Sequence, residues 1–422
     1  MSKIAYVVTQ SELGGAQRNI LLLAKALSGR HDITVYAAPG GLLLDELRRA
    51  GIRVVEVPSM QREISLRDDL ETYRFLVEEF RENGYEVIHS HSSKAGLLAR
   101  MAGKKAGARV NVYTAHGFVF NEPMSKLKKR LYISIERYGA RKGTDLITVS
   151  ERDQKVAGKL KIASRGETRY IPNGIDFPKK EGLLLEKERN RERFRQVLGI
   201  GKADVVFGTI ANFYETKGHR YLIAAFNRLR KENPGLKLRL VLIGQGALKK
   251  GMEELAGPGV IFTGYVQDAE LLMDSFDCLV LPSVKEGFPF VILEGVKHMV
   301  PIIATDVGDV GKVLRKGDLE SYILVNPKSA PELHTAMDAF LGKREAMTRA
   351  AGHSFDLLGE AYSLERMVEE TEKVYLAGTG NMKQDSLKDP AGDRTGRKKK
   401  GIFGFMGKGT RSGKKTKVER KG

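Results

Sequence analysis

Short apolar runs alternating with amphipathic helical patterns, in two successive series, constrain this chain more than any other feature. The first series opens with Ile4-Ala5-Tyr6-Val7-Val8 and continues at 33–37, 53–57, 86–90, 109–114 and 146–149. The second restarts at 205–210 and continues at 238–243, 260–263, 277–281, 301–304 and 321–325. Strands separated by helices are too far apart in sequence for hairpins, so the pattern predicts parallel sheets with crossover helices, an α/β fold. Helices expected at 331–341 and about 357–376 close the second series. With 422 residues the chain is long enough for two domains with separate cores. The expected division is a first domain over 1–177, a charge-dense linker with helical character over 178–203, and a second domain over 204–356. A closing helix over 357–378 and a tail over 379–422 follow.

Charge is unevenly placed. The net charge is +19, and the tail alone carries 14 Lys/Arg against 4 Asp/Glu. Rich in Gly, Lys and Arg and poor in branched apolar residues, the tail is expected to be disordered. Its apolar island, Ile402-Phe403-Gly404-Phe405-Met406, follows the basic run 397–400. Such a segment suits an anionic bilayer, equally nucleic acid, or plain solvation. No apolar run approaches the roughly 18 residues of a membrane-spanning helix, and the first is too short for a signal-peptide core. The single cysteine, Cys278, lies in the apolar run Cys278-Leu279-Val280-Leu281, which fits a buried strand thiol and a reducing compartment. No Cys/His cluster suggests a metal site.

Candidate site residues fall at the C-terminal ends of the expected strands, where doubly wound sheets hold ligands. Glu286 and Glu294 are two carboxylates with Gly287, Phe288 and Pro289 directly after the first. Pro289 suits the start of a helix. Glu286 would then stand at the helix mouth, near free N–H groups that favour an anion, with Glu294 about a turn and a half further in. Two solvated glutamates on an ordinary helix is the competing reading. Gly14-Gly15 precedes the first helix and fits either close backbone approach to a phosphate or a simple tight turn. Lys217-Gly218 opens another helix, where a lysine can neutralise a diphosphate as a point charge. His116 ends the strand at 109–114, in the position of a ligand or of a structural histidine.

Taken in order, these segments resemble the retaining glycosyltransferases of family 4. The Glu-x7-Glu segment with Gly-Phe-Pro after its first Glu carries the likeness, continued by Pro301-Ile302-Ile303-Ala304-Thr305-Asp306-Val307-Gly308. So do Gly14-Gly15, Thr114-Ala115-His116-Gly117, Pro172-Asn173-Gly174-Ile175-Asp176, Lys217-Gly218, Gly244-Gln245-Gly246 and Phe262-Thr263-Gly264-Tyr265-Val266. Arg62-Glu63-Ile64-Ser65 and His91-Ser92-Ser93-Lys94 resemble bacterial members that build surface polysaccharides and lipid-linked oligosaccharides. The resemblance implies the GT-B architecture, two Rossmann-like domains facing a cleft. The first would take the acceptor and the second a nucleotide-sugar donor. Glu286 would contact donor sugar hydroxyls, Glu294 the ribose, Lys217 the diphosphate, and His116 the transferred sugar. Gly287, Phe288 and Pro289 would line the sugar and phosphate. Gly14 and Gly15 would close over the phosphate, and backbone near Val266 would meet the base. Where many relatives carry an arginine that also grips the diphosphate, this chain has Asn212. No cofactor is implied beyond the nucleotide-sugar co-substrate, with a UDP-sugar favoured over GDP-mannose. No Asp-x-Asp triplet occurs, in keeping with metal-independent transfer. The implied partners are a lipid-linked or glycan acceptor and an anionic membrane surface on the cytoplasmic side, not nucleic acid. A GT-B nucleotide-sugar epimerase and a non-catalytic binding protein using the basic tail are the alternatives.

Overall fold

Val, Ile and Leu fill the strand interiors because helices cover both faces of each sheet, and the central strands are buried along their length. The structure, a computed structural model, describes residues 1–122 and 124–380. Its first sheet contains β1 (Lys3–Val7), β2 (Asp32–Ala37), β3 (Arg53–Glu56), β4 (Val87–His91), β5 (Val110–Ala115), β6 (Asp145–Thr148) and β7 (Thr168–Tyr170). The order is β3-β2-β1-β4-β5-β6-β7. All neighbours are parallel, with Ile4 beside Ile33 on one side and Val87 on the other. The connecting helices are α1 (Gly15–Leu27), α2 (Leu42–Arg49), α3 (Leu66–Asn83), α4 (Ser93–Ala106), α5 (Lys126–Ala140) and α6 (Glu151–Lys159). Ser65, Ser125 and Ser150 cap α3, α5 and α6, each accepting the N–H three residues on.

Helix α7 (Lys180–Val197) leads to a second parallel sheet. Its strands are β8 (Val205–Ile210), β9 (Leu238–Ile243), β10 (Val260–Gly264), β11 (Cys278–Leu281), β12 (Ile302–Thr305) and β13 (Tyr322–Val325), in the order β10-β9-β8-β11-β12-β13. Its helices are α8 (His219–Glu232), α9 (Lys249–Leu255), α10 (Phe290–Lys297), α11 (Val310–Leu314), α12 (Ala330–Ala361) and α13 (Leu364–Thr379). Both sheets reverse strand order at the equivalent place, between β1 and β4 and between β8 and β11. Connections leave those adjoining strand ends toward opposite sides, which opens a crevice there.

Two expectations need correction. The separate helices at 331–341 and 357–376, and the division between 356 and 357, give way to a single 32-residue α12. Gly342 and Gly352 lie within it, and Met347, Ala350, Ala351 and Phe355 bury one continuous face along its second half. The chain breaks instead at Tyr362-Ser363, where Ser363 caps α13. Helix α13 returns to the first sheet. Met367, Val368, Val374 and Tyr375 join its core, and Tyr375 Oη lies 2.9 Å from Tyr6 Oη. The turn expected at 307–311 passes into the short α11. Cys278 is buried in β11. No helix among the described residues is long and apolar enough to cross a membrane. The disordered-tail expectation falls, from Asn381 onward, outside the described residues.

Candidate active site

Lys217 and Glu286 come from loops on the two sides of the second sheet's switch point. Lys217 ends a 3-10 turn, Glu215–Lys217, between β8 and α8. Gly218 follows at φ +68°, and a Cβ there would lie 2.1 Å from the Pro282 carbonyl oxygen. Only glycine lets the β8 and β11 loops cross this closely. Val284 N–H donates to the Thr216 carbonyl at 2.8 Å, which locks the two loops together. Lys217 Nζ then sits 2.7 Å from Glu286 Oε1, which also accepts from Ser283 Oγ at 2.6 Å. The side chain of Glu286 is 9% exposed.

The following loop is held from both domains. The Phe288 carbonyl accepts from Asn173 Nδ2 at 2.8 Å, and the Gly287 carbonyl from Asp309 N at 3.0 Å. A Cβ on Gly287 would lie 2.8 Å from the His116 carbonyl oxygen, so the two domains approach closely at this point. The Phe288 ring is buried against Tyr362. Pro289 is the N-cap of α10, so the helix begins one residue later, at Phe290. Glu294 lies inside α10 and is buried.

His116 stands just past β5, facing Glu286-Gly287 with its backbone. Its Nε2 is 2.9 Å from Nδ1 of His91, at the end of the neighbouring β4, and the two rings stack. His91 in turn lies against His89, with ring centroids 4.3 Å apart and the rings tilted by 33°. His89 bonds to Tyr375 Oη and Thr114 Oγ1, both at 2.6 Å. Burial pushes His116 down to about 4. Burial and neighbouring His116 push His89 to about 3, and His91 is also held well below its ordinary value. The row is neutral near pH 7, so His116 can offer hydrogen bonds but no charge.

Gly14 and Gly15 begin α1 at the end of the β1 loop, and a Cβ on Gly15 would meet nothing within 4 Å. Asn212 is turned to the neighbouring loop, where its Oδ1 accepts from Gln245 N at 3.4 Å. Val266, just beyond β10, is half-buried and packs on the second core, as does Leu22 of α1. The structure thus brings Lys217, Glu286, Gly287, Phe288 and Pro289 together, with His116 opposite. Among the described residues no group of three or more His, Cys, Asp or Glu could hold a metal ion.

Three cross-domain contacts escaped the sequence reading. Arg18 on α1 pairs with Glu294, and its Nη2 is 2.9 Å from Glu270 Oε2. Lys285 Nζ is 2.9 Å from Glu122 Oε1. Asp309 accepts the N–H groups of Glu151 at 2.8 Å and Arg152 at 3.4 Å, neutralising the N-terminus of α6. For Arg18 a faint signal exists: it stands three residues after Gly15, on the same helix face.

Comparison with known proteins agrees with this architecture. Residues 13–178 match the family model Glycosyltransferase Family 4, and residues 204–343 match Glycosyl transferases group 1. An Escherichia coli UDP-Gal:alpha-D-GlcNAc-diphosphoundecaprenol alpha-1,3-galactosyltransferase is 28% identical over 334 residues, covering 76% of this chain and 84% of its own. The putative glycosyltransferase EpsD of Bacillus subtilis is 29% identical over 322 residues, covering 73% and 81%. The crystal structure of Anabaena Alr3699/HepE in complex with UDP-glucose superposes with a TM-score of 0.75 at 19% identity, covering 89% of this chain and all of that one. The two parallel sheets meeting at their strand ends are the GT-B fold, and the chain belongs to the family 4 glycosyltransferases.

Proposed function

We propose that this enzyme transfers a hexosyl or N-acetylhexosaminyl group, with retention, from a nucleotide sugar to a lipid-linked or polysaccharide acceptor. A UDP-sugar is the favoured donor and GDP-mannose the second. The observation that carries the reading is the Lys217–Glu286 pair at the second sheet's switch point, set opposite His116. The second domain then holds the donor and the first the acceptor. The diphosphate displaces Glu286 from Lys217, whose charge, with nearby helix N-termini, stabilises the leaving group. This positive potential is the basis for proposing metal-independent transfer. Glu286, released, orients the donor sugar's hydroxyls, and neutral His116 hydrogen-bonds the transferred sugar. The bond from the anomeric carbon to phosphate oxygen breaks as the acceptor hydroxyl attacks the same face. Its proton passes to the departing phosphate oxygen. Gly14 and Gly15 line the phosphate, Glu294 holds the ribose hydroxyls, and Val266 borders the base. Asn212 supplies no charge, which leaves Lys217 the principal cation.

Two observations favour a membrane-borne acceptor. The Escherichia coli relative, by its name, acts on a diphosphoundecaprenol-linked sugar. The next α-helix after His116, α5, begins with Lys126, Lys128, Lys129 and Arg130 around exposed Leu127 and Leu131. We therefore place the enzyme at the cytoplasmic face of the membrane, bound peripherally. The test is a thermal-shift screen of nucleotide sugars followed by transfer to a polyprenyl-diphosphate sugar. A donor should raise the unfolding midpoint by mass action. Glu286→Ala and Lys217→Ala should each cut transfer at least about ten-fold. Full activity in both variants, or no stabilising nucleotide, overturns the assignment.

A further inference from the structure

Glu294 is the one member of the proposed donor site whose charge is met from the other domain. Its side chain is 5% exposed, on the inner turn of α10. The guanidinium of Arg18, from the second turn of α1, pairs with Glu294 Oε1. The same guanidinium holds Glu270 Oε2 at 2.9 Å and lies 5.3 Å over the Phe290 ring, at the start of α10. Glu270 is braced from behind by Lys297 Nζ at 3.1 Å. A planar guanidinium fits this arrangement because it can meet two carboxylates in one plane and stack on a ring at once.

We propose that Arg18 is a positioning residue for the nucleotide donor. Arriving from the first domain, it fixes and keeps ionised the carboxylate that receives the ribose, so the nucleoside pocket is complete only when the domains are together. The proposal rests on the donor reading of Glu294. An ionised carboxylate is acceptor-only and suits the two ribose hydroxyls as donors, whereas the neutral acid spends one oxygen on an O–H donor. Burial raises the Glu294 carboxyl above its ordinary range, and Arg18 is the largest influence pulling it back. The other titratable groups facing it are Glu270 from the 3-10 turn Ala269–Ser275, and Lys297 and His298 of its own stretch. His298 is itself held by Asp274 at 2.8 Å. Without Arg18 the carboxyl climbs further, and its neutral form accumulates as pH falls.

The experiment compares Arg18→Gln, Arg18→Lys and Glu294→Gln in the full chain, with UDP and the preferred UDP-sugar as probes at pH 6 and pH 8. Arg18→Gln should weaken UDP binding about ten-fold at pH 8 and more at pH 6. The KM for the donor should rise in parallel, with kcat at saturation within about three-fold of the parent. Arg18→Lys, which keeps the charge but not the planar fork, should recover part of the affinity and remove the extra loss at pH 6, which also separates the effect from misfolding. Parental or tighter UDP affinity in Arg18→Gln overturns the proposal. If Glu294→Gln also binds UDP like the parent, the donor reading of Glu294 fails with it. If Glu294→Gln weakens binding while Arg18→Gln does not, only the role of Arg18 falls.

Discussion

A methyl group on Gly15 would meet open space, so Gly15→Ala tests ligand approach rather than folding. Its stability should be unchanged or raised by up to about 1 kcal/mol, since alanine suits the first helical turn better than glycine. Donor binding should nevertheless fall at least about ten-fold, because the methyl fills the space a phosphate would use. Calorimetry of UDP binding, read beside a urea titration, checks both halves; parental affinity would show that no ligand group comes near Gly15. The histidines give a second residue-scale prediction. His89, at about 3, and His116 and His219, at about 4, resist protonation in the folded chain but take up protons near pH 6.5 when unfolded. Between those values the unfolded state binds more protons. Stability should therefore fall as pH drops from 6.5 toward 4, by up to about 1.4 kcal/mol per pH unit for each histidine. Urea midpoints equal at pH 7 and pH 5 would contradict this. Residues whose chemistry is announced by neighbouring sequence, such as Glu286 before Gly-Phe-Pro, were legible as candidates. Arg18 was not, because its partners Glu270 and Glu294 lie more than two hundred residues away and nothing in the local sequence links them to it.

Strands and most helices were readable as elements because burial on both faces demands apolar runs and capping demands serine; α5 and α6 start where Ser125 and Ser150 announce them. Helix α7 shows what was not readable. Its charge density looks like a solvated linker, yet Arg191 and Arg195 reach buried Asp277 at 2.5 and 2.9 Å. Arg344 of α12 adds a third contact at 2.6 Å, and Val206 N–H donates to the same carboxylate at 2.8 Å. One acidic side chain thus fastens α7 and α12 to the start of the central strand β8. Removing one side of such a buried network strands the other, at a cost of about 3–5 kcal/mol. Asp277→Ala should lose stability on that scale in urea unfolding, while UDP affinity below the transition stays near parental. A loss under about 1 kcal/mol would mean that apolar contacts, such as Phe194 and Leu198 against the second core, hold α7 by themselves.

At the scale of the whole molecule, a parallel sheet places every helix start at one edge, the edge that also carries His116 and Gly15. The starts of α3 and α5 therefore share a rim with the cleft, flanking α4 between them. Lys94 of α4 ties that rim together by pairing with Asp69 and the Glu63 carbonyl. The rim is unusually apolar for an exposed surface: Leu66 is 88% exposed, Leu127 80% and Leu131 58%. Leu127 and Leu131, four apart, lie on one face of α5 among exposed Lys126, Lys128, Lys129 and Arg130. Exposed leucines ringed by cations suit the boundary of an anionic bilayer, with about 1 kcal/mol per cation and roughly 1.5–3 kcal/mol per buried leucine. If the acceptor is lipid-borne, as proposed, seating this rim on the membrane would bring the first domain's side of the cleft to it without lifting the lipid far from the bilayer. The full chain should therefore sediment with phosphatidylglycerol-containing vesicles at about 0.1 M salt, and release as salt screens the attraction. The double variant Leu127→Glu/Leu131→Glu should bind such vesicles at least about ten-fold more weakly. Its transfer to a soluble acceptor should be unchanged, because the side-chain partners of Lys217 and Glu286 are each other and Ser283, none of them on α5. Parental vesicle binding by the double variant, with loss only on removal of residues 381–422, would place the membrane contact in the basic tail instead of on this rim.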